Sequence, residues 1–111
     1  MGTRVTELIQ TVKAEFFKAM AHPARIRMLE LLCDGELSVG ELTDALGLEG
    51  SHVSQQLGVL RRANLVANRK EGTTVIYSLA DRRIAKVLAL SKEILLSYLT
   101  ETAGLLAERG R

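Results

Sequence analysis

The stretch Ser51-His52-Val53-Ser54-Gln55-Gln56-Leu57-Gly58-Val59-Leu60-Arg61-Arg62-Ala63-Asn64-Leu65-Val66 separates into two unlike faces when wound as a helix. At roughly 100° per residue, Val53, Leu57 and Leu60 share one narrow stripe at i, i+4 and i+7. Ser51, Gln55, Gly58 and Arg62 point the other way. The stripe can pack, and the opposite face stays free. That free face carries hydroxyl, amide and guanidinium groups and no carboxylate. It suits the major groove of duplex DNA, where base edges offer donors and acceptors and the phosphates repel acid. Gly58 leaves room for close approach. Ser51 is expected to cap the helix start, where the positive end of the dipole also favours phosphate. Asn64 is expected to end it, because Asn tolerates a left-handed backbone. Taken alone, such a helix reads first as an ordinary amphipathic surface helix, so its neighbours must decide.

Just upstream, Ser38-Val39-Gly40-Glu41-Leu42-Thr43-Asp44-Ala45-Leu46 predicts a short helix. Ser38 caps it, Glu41 completes a capping box, and Val39, Leu42 and Leu46 form its buried stripe. Gly47-Leu48-Glu49-Gly50 is a tight turn into the next helix. Residues 38–65 therefore read as a helix-turn-helix unit. Downstream, Val66-Ala67-Asn68-Arg69 and Thr74-Val75-Ile76-Tyr77-Ser78-Leu79 are β-rich runs around Lys70-Glu71-Gly72-Thr73. Residues 66–79 are thus expected to form a hairpin, or wing. Its basic residues could serve solubility alone, but Arg69 and Lys70 at the tip of a wing beside a reading helix would reach the DNA backbone or minor groove.

The remainder of the chain is helical. Val5, Leu8, Ile9, Val12, Phe16, Ala19 and Met20 keep helical spacing, with Thr3 as the expected cap. The helix ends at Ala21-His22-Pro23, since the residue before proline is pushed out of the α region and Pro23 starts the next helix. That second helix runs to about Cys33, with Ile26, Leu29 and Cys33 on one face. From Asp81 to about Ala107 a long helix carries apolar residues (Ile84, Val87, Leu88, Leu90, Ile94, Leu95, Tyr98, Leu99, Leu105, Leu106) over more than half its circumference. One face would serve its own core. The surplus predicts a second subunit, with residues 1–21 and 81–107 as dimerisation helices.

Composition limits the alternatives. The 111 residues suffice for one domain and a single core, and 47% hydrophobic content excludes a disordered chain. Fifteen Lys and Arg against thirteen Asp and Glu leave a net charge of +2, so nucleic-acid binding must come from where charge sits. One cysteine forms no intramolecular disulfide, no apolar run approaches membrane-spanning length, and the N-terminus lacks a signal-peptide core. A cytoplasmic location and no membrane partner are expected. No nucleophile, base and orienter set, glycine-rich phosphate loop or two-histidine helix motif is present. No enzymatic activity is expected.

The chain resembles the ArsR/SmtB family of bacterial winged-helix repressors over nearly its whole length. Ala21-His22-Pro23-Ala24-Arg25-Ile26-Arg27-Met28-Leu29-Glu30-Leu31-Leu32 is similar to that family's second-helix signature, and Ser54 to Val66 to its recognition-helix signature. The family often has His where Gln56 stands and Gly where Asn64 stands. Family members that sense soft metals carry a Glu-Leu-Cys-Val-Cys-Asp-Leu motif, matched here by Glu36-Leu37-Ser38-Val39-Gly40-Glu41-Leu42, without either cysteine. The last helix begins Asp81-Arg82-Arg83 and holds no histidine, so the family's zinc or nickel site is missing too. Redox members need a cysteine pair, and Cys33 stands alone in each chain.

The resemblance and the residues together predict a mainly α winged helix-turn-helix protein with a small β-hairpin. It is expected to be a homodimeric repressor on double-stranded, inverted-repeat operator DNA. A winged-helix module that binds a protein or RNA instead is the second reading, and the Arg61, Arg62, Arg69 and Lys70 cluster argues against it. The expected DNA-binding residues are Ser51, His52, Ser54, Gln55, Gln56, Arg61, Arg62, Arg69, Lys70 and Thr73. No metal set is expected; the only imidazoles, His22 and His52, are weak candidate ligands, since an imidazole at a helix junction such as His22 more often ties down the junction and one in a recognition helix such as His52 more often contacts phosphate or a base. If a metal regulates the protein, imidazole and carboxylate donors favour nickel or zinc over cadmium, lead or arsenite. The effector is left open, as is a co-regulator protein.

Overall fold

The computed structural model describes residues 2–109, with side chains described for residues 4–104. Five helices and three strands follow in the order α1 (Gly2–Met20), α2 (Pro23–Leu32), β1 (Leu37–Ser38), α3 (Val39–Leu46), α4 (Gly50–Arg62), β2 (Val66–Glu71), β3 (Thr74–Leu79) and α5 (Arg83–Arg109). The α1 helix begins before Thr3, which therefore lies inside it rather than capping it. Leu105 and Leu106, expected on the apolar face of α5, lie outside the described side chains.

The core forms where the stripes of α2, α3 and α4 meet. Met28, Leu29, Leu42, Val53, Leu57, Leu60 and Leu65 are fully buried, Leu32, Leu46 and Val66 are nearly so, and Ala19, Met20, Tyr77 and Ile84 join the cluster from α1, the sheet and α5. The expected α4 stripe is thus the one that packs. On α2 the buried residues are Met28, Leu29 and Leu32, while Ile26 and Cys33 are only half-buried. The buried face is turned away from Cys33, whose thiol donates to the Leu29 carbonyl at 3.3 Å.

Helix ends follow local chemistry. His22 has extended backbone and accepts the Ala24 amide on Nδ1 at 3.1 Å, so an imidazole caps α2 ahead of Pro23. Ser38 accepts the Glu41 amide at 3.0 Å and Glu41 accepts the Ser38 amide at 2.9 Å, closing the expected capping box. Gly47, at φ 66°, ends α3 in the left-handed region. At the end of α4 the cap is Ala63, and Asn64 takes the left-handed turn at φ 60°. Leu65 then donates to Leu60 at 2.9 Å and Asn64 to Arg61 at 3.0 Å, the paired bonds of a Schellman ending.

The start of α4 departs from expectation. Val53 donates to the Glu49 carbonyl at 3.0 Å, which makes Glu49 the N-cap and places Ser51 inside the first turn. Glu49 supplies no side-chain cap, so the first amides of α4 have no side-chain partner there.

The wing is a three-stranded antiparallel sheet of order β1-β3-β2, with β1 an addition to the expected hairpin. Leu37 pairs with Tyr77 and Ser38 with Ile76. Glu71 pairs with Thr74, so the turn is Gly72-Thr73 alone. Gly72 has φ 62°, the positive φ that a two-residue hairpin asks of glycine at its first loop position. No helix among the described residues is long and apolar enough to cross a membrane.

Ser38→Ala is expected to lower stability by about 1 kcal/mol, because it opens the capping box and leaves the Glu41 amide without its acceptor. Urea unfolding reads this as a lower midpoint with unchanged slope; an unchanged midpoint would mean that the box contributes nothing to α3.

Candidate nucleic-acid interface

With its stripe buried, α4 presents Ser51, Ser54, Gln55 and Arg61 to solvent, and His52 is half-buried beside them. This surface is made of hydroxyl, amide, imidazole and guanidinium groups, with no carboxylate on α4 itself. The uncapped first turn adds backbone amides at the positive end of the dipole, the arrangement that receives phosphate.

Two expected DNA-contacting side chains, Gln56 and Arg69, are engaged within the protein, and the exposed Arg62 lies along its own helix. The half-buried Gln56 accepts a bond from Arg25 Nη1 at 2.9 Å, which draws its amide toward α2. Arg62 folds back along α4, so that a Cβ built on Gly58 would stand 3.2 Å from Arg62 Nη1. The Arg62 guanidinium therefore lies beside Gly58, on a side chain that is itself exposed. Arg69 forks onto Glu36, with Nη2 to Oε1 at 2.9 Å and Nη1 to Oε2, and Glu71 stands 3.5 Å from Nη2.

The sheet register explains the last pairing. Arg69 lies opposite Ile76, and Ile76 opposite Ser38, so the arginine reaches across β3 to the residue two before Ser38. Lys70 pairs with Val75 and therefore points to the other face. Arg69 and Lys70 thus sit on opposite faces of the wing, behind a tip formed by Gly72 and the exposed Thr73. Among the described residues Lys70 has no ion-pair partner. The Arg69 guanidinium bond holds the Glu36 carboxyl below its ordinary range. Two carboxylates around one guanidinium leave the Arg69 site locally acidic, which the sequence spacing alone could not show.

Other titratable groups fit structural roles. His22 spends Nδ1 on its cap. Burial first, then the Asp34 and Glu30 carboxylates, push the Cys33 thiol up, away from the low-pKa condition of reactive cysteines. Among the described residues no group of three or more His, Cys, Asp and Glu side chains gathers as a metal site.

A short helix, a glycine turn, a second helix with a polar free face and a β-hairpin hard against its end define a winged helix-turn-helix protein. The family model for bacterial regulatory proteins of the arsR family matches residues 22–68. The HTH-type transcriptional regulator Rv0081 of Mycobacterium tuberculosis is 50% identical over 104 residues, 93% of this chain and 91% of that protein. Its crystal structure matches with a TM-score of 0.79 and 52% identity over 86% of this chain and 96% of that one. The solution structure of the homodimeric winged helix-turn-helix DNA-binding domain Mb0332 (fragment 1-100) of Mycobacterium bovis, a possible ArsR-family transcriptional regulator, matches with a TM-score of 0.80 at 29% identity, over 86% of this chain and 89% of that one. The biofilm growth-associated repressor of Agrobacterium fabrum is 41% identical over 88 residues, 79% of this chain and 71% of that protein. The chain belongs to the ArsR family of helix-turn-helix transcriptional regulators.

The pairing of Arg69 makes the two basic wing residues unequal. Lys70→Ala is expected to lower the slope of log affinity against log salt by about 0.9, the loss of one phosphate contact. Arg69→Ala should lower it less, and Glu36→Gln, which unpins Arg69, should tighten binding to any duplex a few-fold, since an exposed pair is weak. Titration of one duplex at several salt concentrations reads all three. Equal slopes for the two alanine variants would show Arg69 on phosphate as well, and weaker binding by Glu36→Gln would show that the pair presents Arg69 to DNA.

Proposed function

We propose that the protein is a homodimeric repressor that binds an operator of two inverted half-sites, one helix-turn-helix unit and wing on each. The observation that carries this reading is where apolar surface remains uncovered. Among the described residues, every large hydrophobic side chain that is exposed lies on α1 or α5, including Leu8 at 64%, Ile94 at 62% and Tyr98 at 63%. The helix-turn-helix unit and wing have none. One end of the molecule is thus built to be covered by protein and the other to remain wet.

Shape supports the same division. The radius of gyration is 17.5 Å, whereas a compact chain of this length has roughly 13 Å. α1 and α5 project from the core, and an apolar groove of about 440 Å³ lies between them, lined by Phe17, Met20, Val87, Leu95 and Leu99 among others. Filling such grooves across a two-fold axis joins two reading units by one self-complementary surface. A dimer of this kind would set its α4 helices in successive major grooves about 34 Å apart. The homodimeric relative from Mycobacterium bovis and the repressor from Agrobacterium fabrum support the assembly and the direction of regulation.

On this reading Ser51, His52, Ser54, Gln55 and Arg61 meet the groove, and Lys70 and Thr73 meet flanking backbone. Arg62 swings out from beside Gly58 to reach the backbone, and Gln56 and Arg69 reach DNA only by leaving the partners described above. Residues 1–21 and 81–107 serve as the dimerisation helices of a single domain.

Assembly is tested by Leu95→Glu, which places a carboxylate on the apolar face. The wild-type chain should sediment as a dimer at micromolar concentration, and the variant as a monomer that no longer prefers two-half-site DNA. A wild-type monomer, or a monomeric variant that still prefers paired half-sites, would remove the basis for two-site binding.

Reading is tested separately. Gln55→Ala should reduce discrimination among operator variants by ~1–3 kcal/mol if its amide contacts a base edge. A uniform loss on all sequences would assign Gln55 to the backbone.

A further inference from the structure

The junction between α1 and α2 contains a carbonyl without a helical donor. Within a continuous helix the Ala19 oxygen would accept from residue 23, but Pro23 has no N–H. Arg25 fills the gap, its Nε donating to the Ala19 oxygen at 2.6 Å. The same guanidinium donates through Nη1 to Gln56 Oε1 at 2.9 Å. Because a guanidinium only donates, the Gln56 amide must turn its oxygen to Arg25, and that fixes the side chain. One planar group thus bridges the last turn of α1 and the middle of α4.

Apolar packing does not fill the same space. Between α1 and α4 lies an open depression of about 430 Å³ lined by Glu15, Lys18, Val59 and Arg62 among others. Charge-assisted hydrogen bonds are shorter and stronger than neutral ones, so the bridge is the most directional contact across that gap. α1 carries exposed apolar surface at one end of this contact, and α4 carries the reading face at the other.

We infer that the Ala19–Arg25–Gln56 bridge is a positioning device that fixes the angle of the reading helix relative to the dimerisation helices and so sets the spacing between half-sites. This rests on the proposed dimeric operator binding. Gln56 then works through Arg25 and not on a base, which accounts for an amide on the flank of α4 nearest its buried stripe. The bridge leaves each half-site's sequence preference alone, because the residues on the free face are unaffected. Its effect appears only when two half-sites must be met at once.

The test is selection by the full-length protein from a pool of duplexes with randomised half-sites and a spacer of variable length. The wild-type protein is expected to enrich one half-site sequence at one spacing. Gln56→Leu, which removes the acceptor, should enrich the same half-site while its preference for that spacing falls on the order of ten-fold, the effect of about one strong hydrogen bond. Gln56→Glu, which keeps an acceptor for Arg25, should retain the wild-type spacing. Arg25→Lys, which cannot span both oxygens, should behave like Gln56→Leu. Unchanged spacing in Gln56→Leu would overturn the inference, and so would a changed half-site sequence, which would place Gln56 on a base. If the wild-type protein enriches a half-site without a preferred spacing, or enriches nothing, the proposed dimeric operator binding itself fails.

Discussion

Everything in this molecule hangs on the burial of one narrow stripe, Val53, Leu57 and Leu60, against Met28, Leu29 and Leu42. Each of these side chains is fully removed from water, at about 1.5–3 kcal/mol apiece relative to exposure. A stripe this narrow fixes how α4 is rotated about its own axis. Rotation by one residue would expose Val53 and bury Ser54, a hydroxyl with no partner waiting inside. The polar free face is therefore a consequence of the packing, and the protein needs no other device to aim it outward.

The same core is small, which governs the rest of the architecture. Among the described residues it takes from α1 only Ala19 and Met20 as buried residues and from α5 only Ile84, each near the end of its helix closest to α2. Phe16 and Leu88, a turn further along each helix, are partly buried against it, and beyond them the described large apolar side chains of both helices are exposed. Isolated helices gain little from propensity and depend on tertiary packing, so long apolar helices held at one end make sense with a partner surface. The uncovered groove between α1 and α5 and the elongated shape express one deficit.

What could be read from the chain was whatever has a period or a local hydrogen bond. The α4 stripe, the Ser38–Glu41 box, the Pro23 boundary and the Gly72 turn each need only residues within a turn or two of each other, and each stands as expected. What the spacing does not show has the opposite property. β1 is two residues long and exists only because Tyr77 and Ile76 lie beside it, so no alternation could mark it. Arg69 is separated from Glu36 by thirty-three positions, and Gln56 from Arg25 by thirty-one. Sequence spacing shows no partner for these basic and amide side chains, because their internal partners come together only on folding. The cap of α4 is a different case: Ser51 is the better capping residue by type, yet the helix begins at Gly50 with Glu49 as N-cap, only three residues after Gly47 ends α3.

The end of α4 shows how the wing inherits its direction. Asn64 reverses the chain, Leu65 donates back to Leu60, and the fully buried Leu65 side chain locks that reversal into the core. The Leu65 carbonyl then accepts the Ala80 amide at 3.0 Å, tying the far end of β3 to the same residue. Both legs of the hairpin thus leave from one anchored point, and the wing cannot swing without breaking the Schellman ending of the reading helix. α4 and the wing are one rigid body on this account. α1 joins that body through the core at Ala19 and Met20, with Phe16 packed against it, and through the Arg25 guanidinium, so the angle between α1 and α4 is held by fewer contacts than the union of α4 with the wing.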